Sequence, residues 1–185
     1  MNASQNETDP AQTKADNMAQ DLCTFAIDRT DLKSLMGSIP EDHQLNLTTL
    51  EYELSILKIL AAGWGISFYM AATDPDKSVV SNSFWMGIRE ISQQISTLTQ
   101  TTTGQEINYF DILKNRLDAY MAVMQDNPEQ ATDPTQVIGP AFARACGSEN
   151  DAMAILIGTK MFTLTMGAVK EYIDNMKRPS TQRPN

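Results

Sequence analysis

Apolar residues recur at helical spacing along most of this chain. From Val80 they fall at Phe84, Ile88, Ile91, Ile95 and Leu98, in steps of 4, 4, 3, 4 and 3. That is one stripe of a 3.6-residue period, and Arg89, Glu90, Gln93, Gln94 and Thr97 point elsewhere, so the spacing predicts a helix with one wet face. Met18, Leu22, Phe25, Leu32 and Met36 form a similar stripe, ended by Gly37 and Pro40. Arg29 falls inside it. Either its head snorkels from the core edge or the helix breaks near Thr30. Phe110, Leu113, Leu117, Tyr120 and Met124 make a further stripe.

Two segments have no polar face. LEYELSILKILAAGWGISFYMAA, from Leu50, carries no charge between Lys58 and Asp74, and AMAILIGTKMFTLTMGAVKEYIDNM, from Ala152, is nearly as apolar. A helix that is apolar all round is either central or transmembrane. The first uncharged run falls short of the ~20 residues a bilayer needs. In the second, Lys160 would cost ~2.5–3.5 kcal/mol at the bilayer centre. The expected fold is therefore all-α: a bundle of about five to six helices around two central apolar helices, near 49–72 and 149–177. Each carries interior glycines (Gly63 and Gly65; Gly158 and Gly167), which cost ~1 kcal/mol apiece relative to alanine. Close helix contact would compensate for them, and so would room for a ligand.

Local signals set the expected boundaries. Thr48 to Glu51 and Thr103 to Glu106 have capping-box spacing. Asp74-Pro75 and Asp133-Pro134 read as helix starts, and Ser148 as a cap with Asp151 at the third helical position. The Thr-rich TQTTTG stretch is expected to end one helix, and Gly139-Pro140 to interrupt another. Residues 1–15 read as a disordered arm, 16–177 as one helical domain and 178–185 as a flexible tail. ATDP occurs at 72–75 and 131–134, hinting at a repeat of 48–90 in 106–147. The bland reading is that Asp-Pro helix starts resemble one another.

Composition narrows the function classes. The 185 residues include only five valines, against a β-rich fold. The net charge of −9 repels nucleic-acid phosphate and anionic headgroups. The basic tail, Lys177-Arg178 with Arg183, reads as a frayed terminus. No signal peptide is legible, so a cytoplasmic location is expected, with Cys23 and Cys146 as free, buried thiols. The Asn-x-Ser/Thr matches at Asn2, Asn6 and Asn46 are then chance.

Candidate chemistry is thin. Glu41-Asp42-His43 are adjacent, and neighbours rarely converge on one ion. No Glu-x-x-His pair exists, so neither a metal nor a cofactor is expected. Neither cysteine lies in a nucleophile motif. Glu51 with Glu53, and Asp111 with Asp118, read as helix-start and solvated-face carboxylates. No catalytic residue is assigned. The suggestive feature is aromatic: Trp64, Tyr69, Phe84 and Trp85, with Arg89 as a polar anchor. Phe84 and Trp85 point about 100° apart on a helix, so if one is core the other could anchor a partner. The expected function is a non-enzymatic helical interaction, adaptor or regulatory protein that self-associates as a homodimer or binds another protein, without nucleic-acid binding or membrane insertion. The alternative is a bundle binding a small apolar or aromatic ligand between the two uncharged helices, at Trp64, Tyr69, Trp85 and Arg89. An enzyme of unfamiliar type, using carboxylates and His43, ranks third.

Overall fold

A computed structural model describes residues 10–129 and 134–177, with side chains placed from Lys14 onward. Every regular element among them is an α-helix: α1 (Pro10–Ile27), α2 (Thr30–Met36), α3 (Leu47–Tyr69), α4 (Lys77–Thr103), α5 (Tyr109–Asp126), α6 (Thr135–Ala145) and α7 (Ala152–Lys177). Six are 11 residues or longer and α2 has seven, so the all-α bundle read from the sequence is the observed fold.

The axis of the bundle is α3, which all six other helices touch. Leu50, Leu54, Ile56, Leu57, Leu60, Ala61, Ala62 and Ile66 point in several directions around it and all are buried. Enclosure on every side removes the amphipathic periodicity. The other apolar helix, α7, is less central than expected. It packs on α3 and α6 and touches α2, which leaves one face open, where Leu156 is 46% and Leu164 53% exposed. Among the described residues α7 alone is long and apolar enough to cross a membrane. In the bundle, 39% of that stretch is buried, and Lys160 lies on its exposed face.

The interior glycines are contact points. Gly65 faces Val169 so closely that a Cβ there would lie 2.6 Å from its Cγ1. Gly158 abuts the Phe142 ring, and Gly63 abuts the Trp85 ring. The two apolar helices therefore meet directly where Gly65 admits Val169. Gly167 is different: it has open space around it.

Several boundaries depart from expectation, each for a local reason. Residues 10–15, read as arm, begin α1; residues 1–9 and the tail from 178 lie outside the described residues. The first stripe breaks at Asp28–Arg29, where the Asp28 carboxylate accepts the Thr30 amide at 2.9 Å. Arg29 points outward to Glu51. Asn46, not Thr48, caps α3 by accepting the Thr49 amide at 3.1 Å. Asp74 does not cap α4: it accepts the Asp76 amide and pairs with Lys177, while Lys77 closes the end of α3 by donating to the Ser67 and Met70 carbonyls. The Thr-rich stretch stays helical, with Thr99, Thr101, Thr102 and Thr103 each donating a hydroxyl to the carbonyl four residues earlier. The helix ends at Gly104, whose φ of +71° suits a residue without a side chain. Asn108, not Thr103, caps α5. Gly139-Pro140 does not interrupt α6, since Val137, Ile138, Ala141, Phe142 and Ala143 are buried around it and Gly139 lets Ile155 and Thr159 approach. Asp151, not Ser148, accepts the first free amides of α7, from Met153 and Ala154. Asp133 and most of the second ATDP fall outside the described residues.

Candidate functional site

The five residues singled out from the sequence do not form one site. Trp64 is half-buried inside the bundle, edge-on to Tyr120 at 6.1 Å and to Phe162 at 6.0 Å. Tyr69 packs half-buried at the C-terminal end of α3. Phe84 is fully buried. Trp85 leans inward on Gly63, its ring 5.1 Å from that of Phe84, and keeps one edge in a cavity against α5. Arg89 is exposed, one turn further along α4.

A mostly apolar concavity lies elsewhere. Where α1 ends, α3 and α4 diverge and leave a groove of about 530 Å³. Ile59 and Leu32 form its floor, Ile91 and Ile95 one wall, and Tyr52 and Tyr109 the far end. The two tyrosine rings meet edge to face at 6.0 Å. Burial pushes the Tyr109 hydroxyl up to about 12, so it stays protonated at neutral pH. Ile27, Tyr52 and Ile95 remain 42%, 38% and 40% exposed, and Leu98, one turn beyond Ile95, is 65% exposed. A shallower cleft of about 370 Å³ between α1 and α4 continues the groove, sharing Ile27 and Ile91. The groove exists because the α1–α2 break turns the chain away from α4 just where α4 runs on past its neighbours.

A buried charge network stands beside it. Glu53 on α3 is 2% exposed and takes both oxygens to Arg116 of α5, at 2.8 Å to Nε and 2.6 Å to Nη2. This fork satisfies the carboxylate and ties α5 to the axis. The Tyr120 hydroxyl, in the field of the same pair, is buried with no hydrogen-bond partner among the described residues, and burial raises it far above the ordinary tyrosine range. Lys58, 1% exposed, donates to the Asp28 carbonyl at 2.8 Å and to Asp31 at 3.0 Å. In the sequence, Glu53 looks like any first-turn carboxylate. Only the fold brings Arg116, 63 residues away, to it.

The remaining candidates are quiet. His43 accepts the Leu45 amide on Nδ1. Asp111 pairs with Lys114, and Asp118 is exposed. Burial pushes the Cys23 thiol up to about 11 and the Cys146 thiol up to about 12, so at neutral pH both are held as poorly nucleophilic thiols. Among the described residues no three of His, Cys, Asp and Glu gather into a metal-binding group. Compared with protein-family models, with curated proteins and with solved structures, the chain shows no match.

Proposed function

We infer that this is a non-enzymatic helical interaction protein of the cytoplasm, which takes an apolar helix face of a protein partner, or of a second copy of itself, into the α1–α3–α4 groove. The observation that carries this reading is the groove itself: three large apolar side chains, Ile27, Tyr52 and Ile95, left in water along one concavity, with Leu98 exposed just beyond it on α4. Solvent-exposed apolar surface gathered in a concave channel costs stability unless something covers it. A channel walled by helices with aliphatic residues at one-turn spacing suits an amphipathic helix with anchors at i, i+4 and i+7.

Two measurements test it. Light scattering after size exclusion gives the self-association: the expected result is a concentration-dependent dimer that Ile95→Glu dissolves. If the wild type is monomeric, selection from a displayed library of helical peptides is expected to yield binders that shift the Ile27 and Ile95 methyl resonances and are lost in Ile95→Glu. A strict monomer that selects no such peptide ends this reading.

A further inference from the structure

A second concavity has a different character. Trp85 and Arg89 stand one turn apart on α4, and Phe110 and Lys114 one turn apart on α5. Residues four apart share a helix face. Each helix thus offers an aromatic ring with a cation beyond it, and both pairs line the wedge between α4 and α5. Its inner end is a pocket of about 150 Å³ bounded by Leu60, Trp85, Phe110, Leu113, Lys114 and Leu117. Its outer end is a polar cavity of about 670 Å³ that includes Arg89. Phe110 and Lys114 line both, so the two adjoin.

We propose that this wedge binds a small aryl-alkyl carboxylate, with the ring in the inner pocket against Trp85 and Leu117 and the carboxylate between Arg89 and Lys114. The volume sets the ring: an apolar cleft of about 150 Å³ has room for one benzene-sized group. The cations set the head group. Arg89 has no carboxylate within ion-pair distance among the described residues. Lys114 lies 5.3 Å over the Phe110 ring and 3.2 Å from Asp111, an exposed partner that an incoming anion displaces at little cost. Glu106 and Asp111 share the outer cavity, which limits the accepted charge to a single carboxylate. One helical turn between ring and cation calls for a spacer of one or two carbons. None of these residues lines the α1–α3–α4 groove, so the proposal stands or falls independently of it.

The probe is 3-phenylpropionate, compared with the neutral 3-phenylpropan-1-ol. The two tryptophan indole N–H resonances are assigned with Trp64→Phe. The Trp85 resonance is expected to shift saturably with acid, with a Kd below about 1 mM for a ligand of this size. The alcohol is expected to bind about tenfold more weakly, and Arg89→Gln to weaken the acid about tenfold while leaving the alcohol unchanged. Leu117→Phe, at a half-buried position, fills the pocket and abolishes both. A shift that does not saturate, equal binding of acid and alcohol, or an Arg89→Gln effect common to both ligands overturns the proposal.

Discussion

The contact of α3 with α7 and the contact of α4 with α5 are built on opposite plans. In the first, Gly65 of α3 admits Val169 of α7, so the two helices close on each other there, as Gly158 of α7 lets Phe142 of α6 close on it. In the second, Trp85, Phe110 and Leu117 stand in the seam as large, half-buried side chains. Interaxial distance follows the side chains at the contact. Glycine spends helix propensity to obtain a dry junction, whereas aromatic residues on both helices hold the axes apart and leave a wedge. None of the four cavities described takes a wall from α7. The binding candidates therefore sit away from the closed contact, on the side where α5 is held by its apolar stripe and by the Glu53–Arg116 ion pair.

The sharpest way to break that contrast is to cut the ion pair. Arg116→Ala leaves Glu53 buried and unpaired and is expected to cost about 3–5 kcal/mol by urea denaturation. The double variant with Glu53→Gln should recover part of that loss. If Arg116→Ala costs less than about 1 kcal/mol, as an exposed pair would, α5 is not tethered by this fork. Next come two glycines of α7. Gly158→Ala drives a methyl into the Phe142 ring and is expected to cost about 1–3 kcal/mol. Gly167→Ala meets open space and should add about 0.5–1 kcal/mol. Equal effects of the two substitutions would show that propensity, not contact, governs this helix.

The smallest effect at neutral pH belongs to the thiols. Their folded values, about 11 and about 12, lie above the ordinary 9.0. Below pH 9 both states keep their protons and nothing changes. Above it the unfolded chain loses thiol protons that the native state retains, so stability falls as pH rises from 9 towards 12. Replacing both cysteines with alanine is expected to flatten part of that decline, with a residue left from Tyr109, which titrates in the same direction. Urea midpoints at pH 7 and pH 10.5 check it, and an unchanged decline would place its cause elsewhere.

The helical class and the positions of the long helices were legible because period and apolar content are local properties. The ends were less so, because capping is a competition. Asn46 lies two residues before Thr48, and whichever side chain reaches a free amide decides the start. Pro140 reads as a break because the cost of a proline is local, while the burial of Ile138 and Phe142 that outweighs it is not. The same limit hid the functional surfaces. Trp85 and Arg89 were visible as an aromatic and a cation one turn apart. Of their counterparts, Phe110 read as part of an ordinary stripe and Lys114 carried no signal, until the loop at Gly104 folds α5 back along α4. The groove was less legible still: Ile27, Tyr52 and Ile95 belong to three different helices.

Lys58 has a bearing on how the molecule opens. Its ammonium sits over the Phe25 ring of α1 at 4.4 Å, holds the carbonyl just past that helix and pairs with Asp31 of α2, all from inside α3. Lifting either segment off the axis breaks contacts that this one ammonium makes to both. The end of α1, the whole of α2 and the middle of α3 are thereby fused into one cooperative unit, whose backbone amides should exchange with solvent together. The elbow that looks like a hinge is a rivet, and one wall of the groove is as rigid as the core behind it.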